Sequence, residues 1–470
     1  MKNFPKAHKS QEKKVMPESR CVVQQIGHIP EGYRMTEFGP LPKDWQVVRL
    51  GYVFDEIDRR VSSFEDPTVK KLPVLSLTKN WGLILQTDRF KKRIATDDVS
   101  NYKVVRRGQI VYNPYVIWEG AIHILEKYEA GLVSPVYPVL KTKEAVADSF
   151  YLDSWLRTPP AIAAYNKFAA GAVNRRRSIR KRDFWQIEIP LPPLPEQRAI
   201  AHVLRAVQRA KEATEGVIAA LRELRKSLMQ YLLTYGPVPM DAIDGVIFQE
   251  TEIGSIPAHW QVVRLGEVVK QTQYGISRRG VRQGKVPILR MNNLVDGKIV
   301  TSDLQYLDLD ERETGKFCLQ KGDILFNRTN SHDLVGKTAL FDLDGTFVFA
   351  SYLIRLKPNT QFIIPEFLNF YMNWEKSQQC LKYLASRGVS QSNINATKLK
   401  GLSIPLPPLP EQHEIARILQ ILNRKIEAEE QRKAALEALF QTLLHDLMTA
   451  RRRLLAEFVT QFKKESEETS

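Results

Sequence analysis

The sequence predicts an α+β fold built twice. Two globular α/β domains are separated by two long helices, which pack as an antiparallel coiled coil about an internal pseudo-twofold axis. Three observations predict this. Ile189-Pro190-Leu191-Pro192-Pro193-Leu194-Pro195-Glu196-Gln197 recurs letter for letter at Ile404–Gln412. Trp45-Gln46-Val47-Val48-Arg49-Leu50-Gly51 recurs at Trp260–Gly266. Both pairs are offset by 215 residues, and a long-period duplication decides the architecture before any single residue is read.

The chain has 470 residues, too many for one core. A net charge of +16 favours a polyanionic partner, nucleic acid before membrane. Three cysteines, Cys21, Cys318 and Cys380, are too few and too scattered for a disulfide frame or a zinc knuckle, which suits a reducing cytoplasm. No apolar run reaches the roughly 18 residues a membrane span needs, so no membrane is expected.

The elements follow in order. Residues 1–35 are polar and lysine-rich, a basic arm with order expected only near Ile26–Tyr33. The first domain covers 36–188. Its short apolar runs, Leu72–Leu77, Gln109–Tyr112 and Leu132–Leu140, are bounded by turn residues and read as strands. Tyr151–Lys167 reads as a helix interrupted by Pro159-Pro160. Residues 189–235 open with the proline segment, expected to be extended and free of regular structure, and continue as a long helix from about Pro195. Residues 236–259 are a linker. The second domain covers 260–403. Residues 404–450 repeat the proline-rich start and the long helix, and 451–470 form a charged tail.

Each helix carries apolar residues at steps of three and four. The seam is Ile200, Val203, Val207, Ala210, Val217, Leu221, Leu224 and Leu228, with Thr214 as its weak position. In the second helix it is Ile415, Ile418, Leu422, Ile426, Leu436, Leu439, Leu443 and Leu447, interrupted by Glu429 and Arg432. Pairing the two helices is the economical arrangement; packing of each on its own domain is the alternative. At 1.5 Å per residue each helix spans on the order of 60 Å.

Between the matched ends the domains diverge. Asn113-Pro114-Tyr115-Val116-Ile117-Trp118 faces Asn327-Arg328-Thr329-Asn330-Ser331-His332. Arg175-Arg176-Arg177-Ser178-Ile179-Arg180-Lys181-Arg182 faces Ser390-Gln391-Ser392-Asn393-Ile394-Asn395-Ala396-Thr397. Arginine and asparagine can hydrogen-bond base edges bidentately, and arginine-rich runs neutralise phosphates. The DNA-contact candidates are therefore Asn113, Tyr115, Arg175, Arg176, Arg177, Arg180, Lys181 and Arg182 in the first domain. In the second they are Arg278, Arg279, Arg282, Asn327, Arg328, Asn330, Ser331, Gln391 and Asn393. A solvated charged face and a plain polar turn are the ordinary alternatives. Two unlike readers on a shared frame suit an asymmetric DNA site, where identical readers suit a palindrome.

Thr36–Trp45, Thr251–Trp260, the doubled Leu-Pro-Pro-Leu-Pro-Glu-Gln and Gln391-Ser392-Asn393-Ile394 carry a resemblance. From about residue 30 to 450 the chain resembles the DNA specificity subunit of type I restriction–modification systems. The resemblance implies two target-recognition domains, each reading one half of a bipartite, asymmetric duplex site. It implies that the long helices act as a ruler and dock two methyltransferase (modification) subunits that methylate adenine at N6. Two restriction (translocase) subunits would complete an ATP-dependent nuclease. It further implies no catalytic centre and no cofactor in this chain, with S-adenosylmethionine, ATP and Mg on the partner subunits. Arg175–Ser178 departs from the pattern, standing where the family often has Ser, Gln and Asn.

The residues agree that chemistry lies elsewhere. Asn113-Pro114-Tyr115 lacks the second proline of an amino-methyltransferase tetrapeptide, no Gly-x-x-x-x-Gly-Lys-Ser/Thr loop occurs, and the eight histidines show no metal-ligand spacing. The alternatives are a single-chain DNA modification enzyme with an unrecognised active site, a type IIB-like recognition subunit and a coiled-coil scaffold.

Overall fold

The computed structural model describes residues 29–79, 81–90, 98–169, 177–331, 334–387 and 392–467. The arm before residue 29 lies outside the described residues. The chain divides into two compact units, Met1–Lys211 with Leu436–Ser470, and Glu212–Ala435. Both long helices contribute to both units: Leu194–Tyr235 changes unit after Lys211, and Leu409–Met448 after Ala435.

In the first unit the central sheet is antiparallel, in the order Phe54–Ile57, Val139–Thr142, Ile110–Tyr112, Ile122–Ile124. Leu132–Leu140, expected as one run, is divided between Ala130–Val133, which pairs with Lys103–Arg106, and Val139–Thr142. The expected helix with a proline break is two helices, Ser149–Trp155 and Pro159–Phe168. In the second unit the corresponding strands are Val269–Tyr274, Leu353–Pro358, Ile324–Asn327 and Thr338–Leu340, extended by Gly297–Ile299 and Leu294–Val295.

The duplicated segments pair with each other. Gln46–Arg49 lies antiparallel to Glu188–Leu191, with Val48 opposite Ile189 and Val47 opposite Pro190. Gln261–Arg264 pairs with Ser403–Leu406 in the same register. The opening of the proline segment is therefore a strand, against expectation. A two-stranded ribbon has edges on both sides, so the missing proline N–H costs no interior ladder bond.

Buried polar contacts complete this frame. Trp45 and Trp260 are both 1% exposed. Their Nε1 atoms donate to Glu196 Oε2 at 3.1 Å and Glu411 Oε2 at 2.9 Å. Gln197 Oε1 accepts from Asp148 N, and its Nε2 donates to Pro192 O and Val146 O. Gln412 repeats this with Ile364 N, Pro407 O and Phe362 O. Asp148 and Ile364 are the N-caps of Ser149–Trp155 and Pro365–Asn373. The repeated glutamine thus ties the start of each long helix to the start of a domain helix.

The long helices pair antiparallel within each unit. Lys211 Nζ meets Glu437 at 2.7 Å in the first unit. In the second, Lys433 reaches Glu215 at 2.8 Å, Arg222 reaches Glu430 at 2.6 Å and Arg225 reaches Asn423 at 3.3 Å, so partner numbers fall as the first helix advances. The core of the first unit holds Ile200 and Leu204 together with Leu447 and Met448. The core of the second holds Leu232 and Leu233 together with Ile415 and Leu419.

The less exposed positions give the seam a strict alternation of four and three. It runs Ile200, Leu204, Val207, Lys211, Thr214, Ile218, Leu221, Arg225, Leu228, Leu232, and in the second helix Ile415, Leu419, Leu422, Ile426, Glu429, Lys433, Leu436, Phe440, Leu443, Leu447. Val217, Leu224 and Leu439, expected in the seam, are exposed. On the first helix the reason is a second apolar stripe beside the seam, while Lys211 and Arg225 occupy seam positions that hydrophobicity alone assigns elsewhere; on the second, Phe440 takes the seam position next to Leu439. Glu429 does not interrupt the seam but sits in it, held by Lys425 at 2.9 Å, while Arg432 is exposed.

Two further boundaries change. The linker 236–259 contains a hairpin, Phe248–Thr251 with Gly254–Pro257, whose Ile256 enters the second core. It answers Tyr33–Thr36 with Gly39–Pro42 in the first unit, so the hairpin belongs to the repeat. The charged tail contains a helix, Ala456–Glu467, whose Phe458 and Phe462 rings lie against His202. Just before it, Arg453 donates to Glu196 and to Asp44, anchoring the segment in the first unit.

Candidate nucleic-acid interface

In the second unit, strand Ile324–Asn327 runs directly into the candidate loop. Thr329–Asn330 pairs with Ser392–Asn393, which pairs in turn with Ser386–Arg387. This small sheet joins two segments some 60 residues apart, and Ile394 N donating to Arg328 O extends it. Asn393 Nδ2 donates to Thr329 Oγ1 at 2.8 Å, and Asn393 Oδ1 accepts from Arg328 Nη2 at 3.4 Å. The Arg328 guanidinium lies over the Tyr274 ring, 4.9 Å from its centroid. Its Nη1 donates to Ser351 O at 3.4 Å. Asn330 Nδ2 contacts Met291 Sδ at 3.4 Å, and its Oδ1 accepts from Ser331 N.

Arg328, Asn330, Ser331 and Asn393 are therefore brought together. Asn327 is not among them. It is fully buried, with Nδ2 donating to Leu334 O, and cannot present its side chain to a base in this conformation. Its place at the end of a central strand fixes it in the core. Gln391 lies outside the described residues. Arg278, Arg279 and Arg282 lie in a separate exposed loop, where Arg278 pairs with Glu313.

The first unit has the same frame with different contents. Ile179 N donates to Pro114 O at 3.1 Å, as Ile394 N does to Arg328 O at 2.9 Å. Asn113 Oδ1 accepts from Tyr115 N at 3.0 Å, closing a turn that leaves Tyr115 half exposed. The Arg177 guanidinium lies 5.1 Å from the Trp118 ring centroid, and its Nη2 donates to Asn166 O at 2.7 Å. Arg180 is exposed. Lys181 pairs with Glu56 at 2.7 Å and Arg182 contacts Asp183 at 3.4 Å. The basic run is thus not uniformly free for phosphates, because carboxylates already neutralise two of its cations. Arg175 and Arg176 lie outside the described residues.

Tyr274, Tyr352 and Met291 join these clusters without a mark in the sequence, while Trp118 and Thr329 come from the two facing loops. Tyr274 and Tyr352 are half exposed. Trp81, at 75% exposure, projects from the turn between Leu75–Leu77 and Leu83–Leu85, where its backbone N–H donates to Thr78 Oγ1. Beneath that turn His123 is buried, which pushes its imidazole down to about 4. Among the described residues, no group of three or more His, Cys, Asp and Glu is placed to hold a metal ion, and no helix is long and apolar enough to cross a membrane.

Residues 257–438 match the family model described as the type I restriction modification DNA specificity domain. A Methanocaldococcus jannaschii relative, named as the MjaX specificity subunit of a type I restriction enzyme, is 38% identical over 176 residues, or 37% of this chain and 41% of that one. The StySPI specificity subunit of Salmonella potsdam is 29% identical over 248 residues, 52% of each chain. In these two the chain therefore spans about half the relative or less. The MjaVIII specificity subunit of M. jannaschii is 26% identical over 434 residues, 88% of this chain and 94% of that one. The crystal structure of a type I restriction–modification S subunit from M. genitalium shares the fold, with a TM-score of 0.55 and 14% identity over 88% of this chain and 99% of that one.

Proposed function

We propose that this chain, which belongs to the specificity subunits of type I restriction–modification systems, is the sequence-reading subunit of a DNA methyltransferase. It binds double-stranded DNA at a bipartite, asymmetric site, and each unit reads one half. The observation that carries this is the division of labour within the repeat. Residues identical in the two units bond to one another, as Trp45 does to Glu196 and Trp260 to Glu411. Residues that differ fill the matching loop positions, Pro114 against Arg328 and Arg177 against Ser392.

Two adenine-N6 methyltransferase subunits dock on it, and two restriction subunits join them. Val217 and Leu224, exposed on the first long helix, suit such docking, because a third apolar position per heptad serves a bundle of more than two helices. The helix pair sets the spacing of the half-sites. S-adenosylmethionine, ATP and Mg act on the partners, in the cytoplasm, and this chain performs no reaction of its own.

The test has two arms. Affinity of the isolated chain for its target duplex should fall steeply with salt, as phosphate neutralisation requires. Methyl transfer from S-adenosylmethionine should need an added methyltransferase subunit. Transfer by the chain alone would favour a single-chain modification enzyme.

A further inference from the structure

We infer that each unit reads a guanine through an arginine stacked on an aromatic ring, Arg177 on Trp118 in the first unit and Arg328 on Tyr274 in the second. The inference rests on the reading of the chain as a sequence-specific DNA-binding subunit, and it names the residues and the base.

The two pairs are built from opposite segments. In the first unit the ring comes from the loop after the central strand, Asn113–Trp118, and the arginine from the segment beside it. In the second unit the loop after the central strand supplies the arginine, and the edge strand Val269–Tyr274 supplies the ring. The matching backbone bonds, Ile179 N to Pro114 O and Ile394 N to Arg328 O, place both pairs at the same end of the central strand in their own units. The residues differ, yet the same chemical object results.

That object suits a base edge better than a phosphate. Arg279 and Arg282 are exposed, as long flexible phosphate contacts are. Arg177 and Arg328 are part-buried, and ring and carbonyl contacts limit where each guanidinium can point. A guanidinium held in place offers its fork to the O6 and N7 acceptors of guanine. The guanidinium of Arg328 makes its hydrogen bonds to Ser351 O and Asn393 Oδ1 at 3.4 Å, at the weak limit, so a guanine edge is the better acceptor pair. Tyr115 and Tyr352, half exposed next to the two sites, supply apolar surface beside the base.

The test is selection of bound duplexes from a randomised library by the full chain, comparing wild type with Arg177→Lys, Arg328→Lys and Tyr274→Leu. Lysine keeps the charge and loses the fork, so the salt dependence should stay while base preference changes. Arg328→Lys should lower the preference for guanine at one position of one half-site by roughly five- to a hundredfold, and Arg177→Lys should do so in the other half. Tyr274→Leu should weaken the same position as Arg328→Lys, with thermal unfolding close to wild type. A motif unchanged in both lysine variants, or affinity reduced equally for all sequences, overturns the inference alone. A wild type that selects no motif overturns the parent reading with it.

Discussion

The indole Nε1 of Trp45 donates to Glu196 Oε2 at 3.1 Å across 151 residues of chain, and Trp260 makes the same bond to Glu411. Each bond joins the two ends of a globular domain at the point where its long helix begins. In the first unit Glu196 also accepts from Arg453, which reaches Asp44 as well. In the second unit the position of Asp44 is taken by His259, whose Nε2 lies 2.7 Å from Glu411 Oε1. The frame is common, and its last charge contact is particular to each unit.

Removing one hydrogen bond to a charged carboxylate costs about 1–3 kcal/mol. Trp45→Phe should therefore speed amide exchange in Gln46–Arg49 and Glu188–Leu191 and leave Gln261–Arg264 and Ser403–Leu406 unchanged. Trp260→Phe should do the reverse. Arg453→Ala should affect the first unit alone, because the residue 215 positions earlier is Val238.

The pH dependence of stability should also differ between the units. Burial pushes the His123 imidazole from 6.5 down to about 4. A depressed folded pKa means that the fold favours the neutral ring. Its contribution is present above the unfolded value and is lost as pH falls through the folded one. At 1.36 kcal/mol per unit the loss is on the order of 3 kcal/mol between about pH 7 and pH 4. The residue matching His123 in the second unit is Ala339, so exchange in the first unit should accelerate selectively on acidification. His123→Leu should flatten that response. An equal response in both units would mean that other groups dominate.

The two apolar stripes of the first long helix should separate by mutation. Leu221→Ala, in the seam, should destabilise the second unit by about 1–3 kcal/mol, below the usual range for a fully buried leucine because Leu221 is only partly buried. Val217→Ser with Leu224→Ser should leave thermal unfolding and DNA affinity close to wild type while weakening capture of the methyltransferase subunit. Normal capture by the double variant would remove that stripe from the docking surface.

Inserting one heptad into both long helices, after residues 216 and 431, preserves the antiparallel register. At 1.5 Å per residue the seven residues add about 10 Å, or roughly three base pairs at 3.4 Å each. The spacer between half-sites should lengthen by that amount with both half-sites unchanged. An unaltered spacer would show that the helices are not the ruler.

What was legible in the sequence was mainly the frame. The repeat gave the two units, and Ile200, Val207, Leu221, Leu228, Ile415, Leu422, Leu436 and Leu443 all fall in the observed seam. Lys211, Arg225 and Lys433 were missed there, because a charged residue with a cross-helix partner looks in sequence like a surface residue. The strand at Glu188–Leu191 was missed because proline argues against a sheet, and its partner lies some 140 residues away. The hairpin Phe248–Thr251 with Gly254–Pro257 has apolar runs too short to distinguish it from a linker in sequence. In the interface, segments rich in Arg and Asn were found, but not that Asn327 turns inward or that Tyr274 lies under Arg328. Such contacts join residues far apart in the chain, and local composition carries no record of them.

If two unlike readers share one frame, genome-wide mapping of N6-methyladenine will show it. The host should be compared with and without this chain, and with residues 45–188 replaced by a different recognition domain. A bipartite, asymmetric methylated motif should be present and should disappear without the chain. After replacement, one half should change and the other should be retained. A methylome unaffected by deletion, a palindromic motif, or a change in both halves after the exchange would contradict it.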